Sequence, residues 1–186
     1  MRERVKYMLA AALAATSLAL ACASTDKDGR VHPTGPDGPN AATFKAVAPM
    51  LMRRCGSIDC HGSTYRNFRL YGFGGTRLRD AGRPDDPPFL SSEEVQANYE
   101  AVIGVEPELT REVVRSGGAG YERLTLVRKA RGEEAHKGGG RIIKQSVPPD
   151  PGELCLLSWL SNTTDIAACE KAGCVGDGGI ITACEP

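Results

Sequence analysis

Two thiols and an imidazole sit close together early in the chain, in Cys55-Gly56-Ser57-Ile58-Asp59-Cys60-His61-Gly62. Four residues separate the cysteines, and the histidine follows the second one directly. Groups in that order suit covalent attachment of a c-type haem. Two thiols can add across the two vinyl groups of the porphyrin, and the next side chain then reaches the iron as its proximal ligand. The spacing is longer than the regular Cys-x-x-Cys-His, so the loop has slack that the fold must absorb. The competing reading of the same residues is a small disulfide, Cys55–Cys60, with His61 beside it.

A low-spin haem needs a sixth ligand, usually methionine or histidine. The methionines are Met1, Met8, Met50 and Met52, so none follows His61. The histidines are His32, His61 and His136. His32 lies in a polar segment, where it is solvated. Elimination leaves His136, in Glu133-Glu134-Ala135-His136-Lys137-Gly138-Gly139-Gly140-Arg141, whose glycines allow the backbone to approach a flat ring closely. An exposed loop histidine, with water at the open iron position, is the alternative.

Lipid attachment at Cys22 would leave six of the seven cysteines. With haem on Cys55 and Cys60, the remaining Cys155, Cys169, Cys174 and Cys184 can form two disulfides in any of three connectivities. Without haem, three disulfides form. Both counts are even, so parity supports the lipid but does not decide the haem. A four-cysteine zinc site is the weaker reading, because exported chains oxidise such groups. Cys169 and Cys174 repeat the spacing of the first pair, but Val175 follows them where a ligand is needed. A second haem is therefore not expected.

The elements around these groups begin with an export signal over residues 1–21. Arg2, Arg4 and Lys6 precede an Ala/Leu run from Met8 to Leu20. That run is shorter than the roughly 20 residues of a membrane span. Leu18-Ala19-Leu20-Ala21-Cys22 resembles the lipobox of bacterial lipoproteins, with Ala19 where leucine is usual. Residues 22–42 are then a lipidated cysteine and a disordered linker, too poor in apolar side chains to repay their ordering entropy. The expected location is outside the cytoplasm, lipid-anchored to the cell membrane or outer membrane and facing the periplasm or the exterior.

From residue 43 the chain is the size of one domain. Formal net charge is zero and no basic block occurs, so nucleic acid is not an expected partner. No Gly-x-Ser-x-Gly or His-Glu-x-x-His occurs, and no enzymatic activity is expected. Aromatics are only 5% and glycines number 22, which predicts a loop-rich domain with a modest core. Thr43 is the expected cap of a first helix carrying Phe44, Val47 and Leu51, interrupted by Pro49. Ser91 and Glu94 form a capping box for a second, with Val95, Tyr99 and Val102 inward. A third covers 108–115, with Leu109 and Val113 inward, and ends at Gly117-Gly118. Leu124, Leu126 and Val127 mark a further turn or two. Asp150-Pro151 opens a last helix, with Leu154, Leu157 and Leu160 on one face and Trp159 beside them.

These segments together resemble the divergent class I cytochrome-c-like domains of bacterial secreted lipoproteins. The features are the apolar helix 44–54, the Cys55–Cys60–His61–Gly62 motif, Phe68-Arg69-Leu70-Tyr71-Gly72, Leu124 to Ala130, His136-Lys137-Gly138-Gly139-Gly140-Arg141 and the closing helix through Trp159-Leu160. In some such domains a His-Gly-Gly-Gly-Arg loop precedes the closing helix, and His136 matches its histidine with Lys137 inserted. The resemblance covers residues 43–162 and leaves 163–186 as a cysteine-rich, disulfide-bonded tail. It implies an all-α bundle of short helices with long loops, in which first and last helices pack over the haem edge. It also implies one covalent haem c and electron transfer to a redox partner protein of unknown identity. The alternative function is a haemless, disulfide-stabilised cell-surface lipoprotein acting as a binding or structural module.

Overall fold

A computed structural model describes residues 38–78, 90–137 and 140–174. The signal, Cys22, the linker up to residue 37 and Cys184 lie outside the described residues, as does most of the proline-rich stretch before Ser91. The described residues form six α-helices and two short 3-10 turns, without a strand. In chain order the helices are α1 (Phe44–Cys55), α2 (Ser92–Ile103), α3 (Pro107–Arg115), α4 (Thr125–Arg131), α5 (Pro151–Leu160) and α6 (Ile166–Gly173).

The first helix carries the functional motif at its C-terminal end. Phe44, Val47, Ala48 and Leu51 recur at helical spacing, and all are buried. Thr43, expected as the cap, makes no capping bond. The chain enters α1 from a 3-10 turn, Ala41–Thr43, so Thr43 already has helical dihedrals; Asn40 caps that turn by accepting from the Ala42 N–H at 2.9 Å. Pro49 lies inside α1. Its ring packs against α6, where a side chain on Gly173 would meet the Pro49 Cβ at 3.0 Å.

The sixth helix was not legible in the glycine- and cysteine-rich stretch after residue 162, yet α1 packs more extensively against α6 than against α5. Asp165 caps α6 by accepting from the Ala168 N–H at 2.9 Å. Cys155 in α5 and Cys169 in α6 form a disulfide. Closing a loop of that length stabilises a fold by roughly 3 kcal/mol in the chain-entropy account. Cys174 is also disulfide-bonded. Cys55 and Cys60 are free thiols.

The buried side of α5 is Cys155, Leu156, Trp159 and Leu160. Of the expected stripe only Leu160 is fully buried, and Leu154 is exposed. The helix is apolar nearly all round, so spacing alone did not select its face. Trp159 stacks near Phe44, with ring centroids 5.0 Å apart, and Phe44 meets Tyr99 edge-on at 5.4 Å. This triad joins α1, α2 and α5. The polar ends of the two larger rings reach back to the start of the domain, where Trp159 Nε1 donates to the Asn40 carbonyl and Tyr99 Oη to that of Pro39, each at 3.0 Å.

The capping box of α2 is present. Ser91 Oγ accepts from the Glu94 N–H at 3.1 Å, and the Glu94 carboxylate accepts from the Ser91 N–H at 3.0 Å. Glu94 does more than cap. It is 2% exposed and holds Arg77 through Nε at 2.6 Å and Nη2 at 3.0 Å. That buried pair fixes the end of the loop following the cysteine motif onto α2.

Candidate functional site

Helix α1 ends at Cys55, and the chain turns back on itself at once. The His61 N–H donates to the Cys55 carbonyl at 2.9 Å, and the Cys60 and Gly62 N–H groups both donate to the Ser57 carbonyl at 2.9 Å. The Ile58 N–H is held by the Gly74 carbonyl at 2.9 Å. Ile58 and Asp59 are exposed at the tip. The extra residues of the long spacing are therefore spent in a solvent-facing turn, while Cys55, Cys60 and His61 line one cavity. Close packing of glycines makes this possible: a Cβ on Gly62 would lie 2.1 Å from the Gly56 carbonyl oxygen.

His61 is oriented by its own loop. Its Nδ1 lies 2.9 Å from the Phe68 carbonyl oxygen, which can only accept, so Nδ1 carries the proton and the Nε2 lone pair is free. The Phe68 ring stands 4.7 Å from the imidazole. Burial pushes the His61 pKa below its ordinary 6.5; the Phe68 carbonyl opposes the shift, while His136 and Arg66 add to it. The ring is thus neutral at pH 7 and suited to donate electrons to a metal. Burial pushes the Cys55 thiol up to about 12, against the influence of Arg54. Cys55 is therefore a neutral thiol rather than a nucleophilic thiolate.

His136 approaches from the opposite side of the chain. The loop that carries it leaves α4 through Gly132, in the left-handed conformation at φ 71°, and returns where the Ile142 and Ile143 N–H groups both donate to the Ala130 carbonyl at 2.8 and 2.9 Å. Lys129 Nζ donates to the Ala135 carbonyl at 2.8 Å. The result places the His136 ring 5.9 Å from that of His61, with their planes 21° apart.

Cavities of about 320 and 210 Å³ share Cys55, His61, Lys129, His136 and Ile142 in their walls. Cys60 and Arg66 line the larger, and Phe68, Leu126 and Ala130 the smaller. The remaining residues of the cysteine loop and its sequel sit elsewhere. Leu70 is in the core, Phe73 packs on it, and Met50 and Met52 are buried core side chains. Sequence reasoning did not find Lys129, Ala130 or Ile142 as site residues, nor the Phe68 carbonyl as the partner of His61. A backbone acceptor leaves no trace in residue type.

Two thiols and two imidazoles on one cavity are the types of side chain that would hold a c-type haem. Among the described residues no three His, Cys, Asp or Glu side chains converge as a metal-binding group. The two imidazoles lie with their centroids 5.9 Å apart and their planes 21° apart, as a stacked pair. Both free thiols lie on the larger cavity, whose wall also carries Arg54, Arg66, Lys129 and Lys137, while the smaller is walled mainly by apolar side chains. No protein-family model, curated protein or solved structure matches the chain. Fold and site alone define its class: over the described residues, an all-helical, disulfide-bonded domain with two free thiols and two facing imidazoles on one cavity.

Proposed function

We propose that the protein is a membrane-tethered c-type haem protein that transfers electrons, with a cytochrome-c-like arrangement of its helices. The observation that carries this reading is the convergence of Cys55, Cys60, His61 and His136 on one cavity, with the two imidazoles 5.9 Å apart. Haem c would supply a one-electron centre, covalently held through Cys55 and Cys60. His61, its tautomer set by the Phe68 carbonyl, and His136 are the side chains that would hold the iron. Leu126, Ala130 and Ile142 keep water from the ring. Two imidazoles favour a lower potential than a His/Met pair, because methionine raises it. The free state of Cys55 and Cys60 favours this reading over a Cys55–Cys60 disulfide scaffold. Lipid on Cys22 would hold the domain at the membrane, where it would meet its redox partner.

The test is expression beside a c-haem maturation system, followed by a pyridine haemochrome spectrum and intact mass. One haem per chain, retained under denaturing conditions, is expected. Loss of one thioether in Cys55→Ala or Cys60→Ala should shift the haemochrome band. A wild-type product without haem would leave the disulfide-stabilised binding module as the surviving reading.

A further inference from the structure

The wall of the larger cavity carries four cations, Arg54, Arg66, Lys129 and Lys137, and none of its described lining residues is acidic. Two of these charges are engaged inside the domain. Arg54 pairs with Asp150 at 2.6 Å, and Lys129 with Glu134 at 3.1 Å. Arg66 and Lys137 are exposed, and among the described residues neither makes an ion pair. The acids nearby in sequence are held elsewhere: Glu133 accepts from Gln145 Nε2 at 2.7 Å, and Glu134 also meets Arg128 at 3.0 Å. Asp59 is the single acid of the cysteine turn. Formal net charge of the whole chain is zero, so this positive excess is local. Arg66 is held by backbone. Its Nε donates to the Cys60 carbonyl and its Nη2 to the Asp59 carbonyl, each at 3.2 Å. Those bonds orient the guanidinium without neutralising it, and leave N–H groups over for an outside acceptor. They also tie together two segments that each expose a large apolar side chain. Ile58, on the cysteine turn, is 58% exposed, and Tyr65, next to Arg66 in the chain, is 95% exposed.

We propose that Arg66 and Lys137, with Ile58 and Tyr65 beside Arg66, dock a partner protein through a surface that presents carboxylates around an apolar centre. Tyrosine and arginine are enriched where protein interfaces draw their binding energy. A planar guanidinium takes a carboxylate in two parallel bonds, and one already oriented by backbone loses less freedom in doing so. An anionic bilayer is the other surface that such charges could meet. Lipid recognition uses clusters of about four to eight Lys/Arg, whereas two are uncommitted here. Two cations beside an exposed aromatic fit a protein contact instead. The docking face goes beyond the haem reading and holds with or without a ring. Where haem is bound, the face brings the partner to the cavity that carries it.

The probe is a short peptide with glutamates on either side of a Leu-Phe pair. It is titrated at low salt into the isotopically labelled exported chain carrying Cys22→Ala, which is free of lipid, while backbone amide shifts are followed. Shifts confined to the cysteine turn, residues 63–66 and His136–Lys137 are expected. The same peptide with glutamine or lysine for glutamate should bind about tenfold more weakly, and high salt should erase that difference. Arg66→Gln and Lys137→Gln should each weaken binding about threefold, the scale of one exposed charge pair. Arg66→Gln also removes two backbone bonds, so Lys137→Gln is the arm that leaves the fold alone. Lys45→Gln removes an exposed cation at the far end of α1 and should change nothing. Equal affinity for the glutamate and glutamine peptides, or equal losses in Lys45→Gln and Lys137→Gln, overturns the docking face. Binding to phosphatidylserine vesicles that Arg66→Gln and Lys137→Gln abolish also overturns it, by assigning the same charges to a membrane. A chain without haem in the haemochrome assay that still binds the glutamate peptide through Lys137 overturns the haem reading and leaves the docking face standing.

Discussion

At the residue scale, His61 and His136 carry different burdens, and substitution should separate them. His61→Ala is expected to prevent a stable low-spin haem, because it removes the ligand whose tautomer the fold fixes. His136→Ala should keep the covalent haem and give a high-spin spectrum, and His136→Met should restore six-coordination at a higher potential. Optical and magnetic resonance spectra distinguish these outcomes, and a low-spin His136→Ala protein would remove His136 from the site. In the haem-free protein the depressed pKa of His61 gives a second expectation. The unfolded chain takes up the proton near pH 6.5, while the folded one resists it to lower pH. Stability is therefore full above pH 6.5 and falls as pH drops through that value toward the folded pKa. Urea midpoints between pH 7.5 and 5 should show this slope, and His61→Gln should flatten it. Equal slopes in both proteins would contradict it. Elimination singled out His136 in the sequence, because no methionine follows His61, and the structure brings its ring beside that of His61. The carbonyl of Phe68 was not, since every residue carries one.

At the scale of elements, capping chemistry was the most legible layer and packing partners the least. Ser91 and Glu94 announce a helix start by type and spacing, and Asp150-Pro151 does the same for α5, where Asp150 accepts from the Gly152 N–H at 2.7 Å. Neither pattern says what else the carboxylate holds. Asp150 also receives Arg54 Nη1 at 2.6 Å, and this joins the start of α5 to the end of α1, beside the cysteine motif. Glu94 receives Arg77, and this distinguishes two substitutions. Ser91→Ala removes a cap and should cost about 1 kcal/mol. Glu94→Ala removes the same box and also takes its carboxylate from Arg77, whose side chain is 14% exposed. Breaking a buried pair from one side costs about 3–5 kcal/mol. Denaturant midpoints should therefore fall much further for Glu94→Ala than for Ser91→Ala, and equal losses would mean that Arg77 finds water. Helix α6 went unread for the opposite reason. Its sequence, Ile166-Ala167-Ala168-Cys169-Glu170-Lys171-Ala172-Gly173, is small and only weakly patterned. What makes it a helix is the tight contact of Gly173 with Pro49 and the bond from Cys169 to Cys155.

At the scale of the whole molecule, the domain brings its termini and its site into different regions of contact. The segment entering the domain is tied to α5, through the Asn40 carbonyl on Trp159 and the Asn40 N–H on Asn162 Oδ1 at 2.9 Å. The cysteine motif begins at the other end of α1, a helix of 12 residues from Phe44 to Cys55. No described helix is long and apolar enough to cross a membrane. In the reading proposed above, the lipid at Cys22 would hold the protein at the membrane. A flexible polar chain spans roughly 5–6 Å times the square root of its residue number, so a linker running from Cys22 to just before Pro39, where the folded domain begins, would give the domain a reach of roughly 20–25 Å. Cys22→Ala should move the protein from the membrane pellet to the soluble fraction and abolish incorporation of labelled fatty acid. Its haemochrome spectrum and denaturation midpoint should be unchanged, because residue 22 lies well before the first buried side chains of the core. A variant that still pellets with the membrane, as the wild type does, would show that something other than a lipid at Cys22 holds the protein there.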